Sequence, residues 1–316
     1  MKKLSTLVFV LLSLSVWAQQ EPHYTHFMYN QQLYNPAYVG SRNTPSFTAL
    51  HRSQWIGFEG APMSQVLSFQ TPIMNQRAGV GGSISRYAIG VSYAWFGSAA
   101  YSYNLRLTED LSLRLGLQAT LEYFGIHFGD KRVVTVSQFD NSLNDNRFDD
   151  EYAANVGVGG YLTYKDMFYI GASAPQLYPN DVGLNDLSRV TAKIAPHRYY
   201  SMGAAIPVSD KVELMPNFLV KWVSNSPIDL DVNLSVRYMQ KLTAGVSYRA
   251  GGDGNGDSVD GLVFFQVTPK FGVGIGYDYT LSKIREFQSG SAEVLLRYDL
   301  RTDEGDLENP RYFKKK

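Results

Sequence analysis

Residues 111–126 read LSLRLGLQATLEYFGI. The odd positions (Leu111, Leu113, Leu115, Leu117, Ala119, Leu121, Tyr123, Gly125) are apolar, aromatic or glycine, while Ser112, Arg114, Gly116, Gln118, Thr120 and Glu122 occupy the even ones. A period of two marks a strand with one greasy and one wet face. This one spans sixteen residues, where a strand of a soluble protein usually runs to about 5–6.

The same period recurs along the chain. One face of 91–105 holds Val91, Tyr93, Trp95, Gly97, Ala99, Tyr101, Tyr103 and Leu105. Leu230, Val232, Leu234, Val236 and Tyr238 alternate with Asp231, Asn233, Ser235 and Arg237. Comparable alternation covers 152–164, 212–222, 271–279 and 292–300, and weaker versions cover 46–55, 64–73, 78–87, 167–176, 198–206, 242–250 and 259–268. The links sort into two sets. Short ones fall at 73–77, 108–110, 165–166, 208–211, 240–241 and 268–270; longer ones at 53–62, 126–151, 177–197, 223–228, 251–258 and 281–290, with a short exception at 88–90.

Short and long links in alternation belong to an up-and-down ring whose two ends differ, as in outer-membrane barrels with short periplasmic turns and long outer loops. The reading is therefore an all-β transmembrane antiparallel β-barrel of about 14 strands, with N- and C-termini periplasmic. Such a ring is too wide for its side chains to fill, so the faces carrying Arg114, Glu122, Asp231, Arg237, Arg297 and Asp299 are expected to line a polar lumen. Tyr93, Trp95, Tyr123, Tyr164, Trp222, Tyr238 and Tyr298, near strand ends, are expected in the interfacial aromatic girdles.

The first 18 residues read as an export leader: Lys2 and Lys3, then an apolar stretch from Leu7 to Val16, with cleavage after Ala18. Residues 19–44 lack a period, are rich in Tyr, Asn and Gln, and are expected to line or plug the lumen. The barrel would occupy 45–300 and a periplasmic tail 301–316. Lys and Arg total 29, as do Asp and Glu, so there is no basic excess to select nucleic acid. The absence of Cys excludes disulfides and a lipoprotein anchor.

Signals for chemistry are weak. His23, His26, His51, His127 and His197 form no zinc motif, and no catalytic dyad or triad stands out. Asp253, Asn255 and Asp257 have the spacing that opens a calcium loop. Ser258 and Phe264 then stand where that loop needs Gly and Glu. No catalytic residue, cofactor or metal is expected.

Several strings resemble one family: YNPAYVGS (34–41), HRSQWIGFEGAP (51–62), PIDLDVNLSVRY (227–238), GVSYR (245–249), GYDYTLSKI (276–284), GSAEVLLRYDL (290–300) and NPRYF (309–313). In this order they resemble the PorP/SprF outer-membrane proteins of the Bacteroidetes type IX secretion and gliding system. The resemblance implies a non-enzymatic component that binds the type-B C-terminal domain of a cognate secreted protein, giant adhesins among them, and anchors it at the surface. It also implies contact with periplasmic secretion or gliding components. The motif residues Tyr34, Asn35, Pro36, Arg52, Gln54, Trp55, Gly57 and Pro62 are the candidate partner-binding set. Arg52, Gln54 and Trp55, at the top of the first strand and its loop, would either meet the partner or pin the loop. A solute-conducting pore is the alternative.

Overall fold

The computed structural model describes residues 22–42, 44–127, 130, 132, 148–165, 167–182, 192–224, 226–251 and 256–300. The expected leader, the tail 301–316, most of the loop 126–151, and Asp253 and Asn255 lie outside the described residues.

The strands are β1 (Ser46–Ser53), β2 (Met63–Ile73), β3 (Ala78–Ile89), β4 (Ser92–Arg106), β5 (Leu111–His127), β6 (Phe148–Tyr164), β7 (Phe168–Ala174), β8 (Asn180–Val182) and β9 (Ala192–Ile194). They continue as β10 (His197–Ala204), β11 (Ile206–Ser209), β12 (Val212–Val223), β13 (Asp229–Tyr238), β14 (Leu242–Ala250), β15 (Ser258–Gln266), β16 (Phe271–Thr280) and β17 (Ser291–Asp299). β10 and β11 both pair with β12 and form one stave, interrupted near Ala205 and kinked between Pro207 and Ser209. β8 and β9 form a separate hairpin within the link 177–197. The remaining strands pair antiparallel in chain order, and β1 pairs with β17 from Ser46↔Asp299 to Ser53↔Ala292. Among the described residues the result is a closed barrel of fourteen staves.

The alternation sets which face looks out. On β5, Leu115, Leu117 and Leu121 are exposed and Arg114, Gln118 and Glu122 are buried. Ile170, Leu234, Val246 and Ile275 extend the apolar outer surface around the ring. Trp95, Tyr164, Tyr238 and Tyr298 are exposed on that outer surface. No described helix is long and apolar enough to cross a membrane; the crossing elements are strands.

The interior differs from an open polar lumen. Residues 22–42 run inside the ring, and nearly all of them are buried. The segment contains three short 3-10 turns, Phe27–Tyr29, Gln31–Leu33 and Pro36–Tyr38. Tyr24, Phe27, Met28, Tyr29 and Tyr34 pack against inward-facing Leu50, Val66, Tyr199, Leu219, Leu262, Phe264 and Leu295. At two places the segment meets bare backbone. A Cβ on Gly116 of β5 would overlap the main chain of Pro36 and Ala37, and one on Gly79 of β3 would overlap Val39 and Gly40. Only glycine permits such approach.

The segment also has a direction. Residues 23–26 lie beside the long-loop ends of β12, β16 and β17, and Arg42 lies beside Asp299 at the short-turn end. β1 starts and β17 finishes at the short-turn end, as an even-stranded ring requires. The first described residues are at the opposite end from that expected of a periplasmic N-terminus, because the segment before β1 passes through the ring.

Leu117→Arg places a charge on the apolar band and should destabilise the barrel by about 2–4 kcal/mol, measured by denaturant unfolding in lipid vesicles. Leu117→Met should change stability by less than about 1.5 kcal/mol.

Candidate functional site

Two places gather the charged and motif residues: the interior, where the N-terminal segment meets the wall, and the rim of the long-loop end.

The largest interior cluster centres on Arg52, the seventh residue of β1. Strand alternation turns this side chain inward, where it is 2% exposed. Its guanidinium pairs with Asp278 at 2.6 Å and Glu293 at 3.4 Å, and donates to Thr25 Oγ1 at 3.0 Å. Thr25 in turn donates to Asp278 Oδ1 at 2.6 Å. Glu293 accepts the backbone N–H groups of Thr25 and His26 at 2.9 and 2.8 Å, and its Oε1 also lies 2.8 Å from His26 Nδ1. Three strands of the wall thus hold one turn of the segment through charge-assisted hydrogen bonds, which are stronger than neutral ones.

The cluster continues around the ring. Arg249 reaches Asp231 at 2.7 Å, Asp260 at 3.3 Å and Asp278 at 3.4 Å. Lys221 pairs with Asp231 at 3.1 Å and contacts His23 Nδ1. A smaller cluster closes the short-turn end: Asp299 accepts from Arg42 at 2.9 Å and Ser46 at 2.6 Å. Arg297 beside it donates to Gln266 at 2.7 Å and lies over the Phe264 ring. Between the two clusters the segment is held by neutral bonds. Gln32 donates to the Gly82 carbonyl at 3.0 Å, and Ser102 donates to the Val39 carbonyl at 2.6 Å.

The motif residues separate between these two places. Tyr34, Asn35 and Pro36 are buried inside. Tyr34 packs on Tyr199 and its carbonyl accepts from Ser173 at 2.6 Å. Asn35 caps the following turn by accepting from the Ala37 N–H at 2.9 Å and donates to the Gly160 carbonyl at 3.0 Å. Pro36 takes the first position of that turn, where its missing N–H leaves nothing unpaired. Arg52 joins this interior group and presents nothing at the rim.

Gln54, Trp55, Gly57 and Pro62 belong to the rim. Gln54 N–H bonds the Pro62 carbonyl at 3.0 Å and narrows the neck of the loop. Trp55, at φ 51°, donates its N–H to Ser291 Oγ at 3.2 Å, and Gly57 turns at φ 92°. Ile56 N–H bonds the Gly290 carbonyl at 2.8 Å, and Ser289 N–H bonds the Ile56 carbonyl at 2.8 Å. Gly90 N–H reaches the Gly60 carbonyl at 2.8 Å on the other side. The loop 54–62 is therefore tied to both neighbouring links. It presents Ile56 and Phe58 outward, and Phe287 projects from the adjoining link. Ile56 and Phe58 lie in the string HRSQWIGFEGAP but not in the candidate partner-binding set, and Phe287 in neither; an apolar residue in an outer loop carries no period that would single it out.

A wall of outward leucines, valines and aromatics with inward charges defines an outer-membrane β-barrel. The solved structures it resembles are of that kind. The CymD monoaromatic hydrocarbon channel aligns with a TM-score of 0.52 at 11% identity, covering 86% of this chain and 93% of CymD. The deltaS2S3 mutant of the TodX monoaromatic hydrocarbon channel aligns at 0.50 and 10%, covering 87% and 93%. Omp33 of Acinetobacter baumannii aligns at 0.48 and 7%, covering 83% and 100%. At these identities the likeness concerns fold alone. No curated protein sequence matches. The family model "Type IX secretion system membrane protein PorP/SprF" matches residues 16–298, and the chain belongs to that family. It is an outer-membrane component of type IX secretion.

Arg52→Ala leaves Asp278 and Glu293 without their shared cation and should destabilise the barrel by about 3–5 kcal/mol in vesicle unfolding. Arg52→Ala with Asp278→Asn should lose less than the sum of the two, because the residues share one interaction.

Proposed function

We propose that this protein binds the C-terminal domain of a cognate secreted protein, of type B, and anchors it at the cell surface without catalysing a reaction. Family membership supports a role in type IX secretion. The observation that carries the finer reading is the contrast between the barrel's interior and its rim. The interior is taken up by residues 22–42 and by the ion pairs of the wall around them. The long-loop rim instead offers Ile56, Phe58 and Phe287 on loops already fixed by backbone hydrogen bonds. Exposed apolar side chains on a preorganised loop lose little entropy on binding and are what a protein partner buries. Trp55, Gly57, Gln54 and Pro62 then act by shaping this loop, and Tyr34, Asn35, Pro36 and Arg52 by holding the interior that supports it. Periplasmic secretion or gliding components would meet the short-turn end.

The test is purification of the tagged protein from its own host in mild detergent, with mass spectrometry of what accompanies it. A large secreted protein in near-equal amount is the expected companion. Combining Ile56→Ser, Phe58→Ser and Phe287→Ser should reduce its recovery at least about tenfold, a loss of roughly 1.4 kcal/mol or more, while heat-modifiable migration of the barrel is kept. Steady single-channel conductance in planar bilayers, with no companion, would point instead to a solute pore.

A further inference from the structure

The contacts of residues 22–42 follow the barrel axis in order. His23 meets Lys221, two residues from the long-loop end of β12. Thr25 and His26 meet Asp278 and Glu293, close to the same end of β16 and β17. Asn30 accepts from Ser68 at 3.1 Å in the middle of β2. Gly40 donates to Gln70 at 3.0 Å, further toward the short turns. Arg42 reaches Asp299, the last residue of β17. A single crossing is also what the length allows. Nine residues in 3-10 turns rise about 2 Å each, or about 18 Å. The other residues between Thr25 and Arg42 extend at up to about 3.3 Å each. Together they exceed the ~25 Å apolar band of such a barrel, but fall short of the two bands a return would need.

The crossing is fixed at both ends and along its length. Buried carboxylates grip residues 25–26 through their N–H groups and Arg42 through an ion pair, and main-chain contacts at Gly116 and Gly79 leave no room for sliding.

We infer that the chain is threaded outward: Pro22 and His23 face the same side of the membrane as the long loops, and the strand ends Ser46 and Asp299 face the other side. The segment then begins, at Pro22, on the face that carries Ile56, Phe58 and Phe287. The lumen is correspondingly closed to any passing polypeptide, since residues 22–42 are part of its folded core. This inference does not depend on partner binding.

The natural chain has no cysteine, so single replacements report cleanly. Glu21→Cys samples the amino terminus, Lys283→Cys the long-loop end and Asn75→Cys the short-turn end. Cells of the native host carrying each variant are treated with a membrane-impermeant maleimide, intact and then permeabilised, and folding is verified by heat-modifiable migration. Glu21→Cys should label together with Lys283→Cys and differ from Asn75→Cys. Labelling that follows Asn75→Cys, or that appears only after denaturation, overturns the threading. Because the comparison lies within one molecule, a reversed barrel would change which pair labels on intact cells without separating Glu21→Cys from Lys283→Cys.

Discussion

A ring of fourteen staves encloses more space than side chains projecting from its wall can occupy. That surplus volume governs the rest of this molecule. The wall must be apolar outside, since lipid covers it, and its inner face must then find partners across a gap. Residues 22–42 supply them: aromatic side chains for Leu50, Phe264 and Leu295, and backbone N–H groups for Glu293. The segment lacks a regular fold of its own because its conformation is dictated by the wall, turn by turn, in three short 3-10 pieces.

The charged groups inside serve position more than attraction. Burying ions is expensive, and a buried pair often stabilises no better than packed apolar residues would. What the pairs do here is forbid alternatives. Shifting the segment by one residue would part Glu293 from the Thr25 and His26 N–H groups at one end and Arg42 from Asp299 at the other. Glu293 would keep only Arg52, and Asp299 only Ser46 and Arg297, from the wall itself. The tied loop 54–62 rests on this fixed base, since its strand carries Arg52 and its backbone bonds the link before β17.

The wall was legible in the sequence because lipid imposes a strict period of two on every stave. Leu115 and Leu117 read as outward and Arg114 and Gln118 as inward from spacing alone. The occupant is legible only as a polar stretch without a period, and the wall positions that receive it are less so. Their trace is a breach of the alternation, in pairs such as Phe264–Phe265 and Leu295–Leu296, where one apolar residue faces lipid and its neighbour faces the segment. Gly116, one of the even positions of β5, is where the main chain of Pro36 and Ala37 docks. Arg52 and Trp55 are near neighbours in sequence with different destinations, because a strand side chain turned inward and a loop residue at positive φ share no rule. The β8–β9 hairpin escaped notice for a simpler reason: three residues are too few to show a period.

Strand β17 closes the ring against β1 and also contributes both Glu293 and Asp299. The last stave in the chain thus grips the two ends of the segment 22–42. Contacts separated by some 250–270 residues must form together, which places this barrel among folds of high contact order and slow assembly. A ring closing without the segment would bury Glu293 without the Thr25 and His26 N–H groups and Asp299 without Arg42. Closure and filling are therefore one cooperative event, and an empty closed barrel is a disfavoured intermediate.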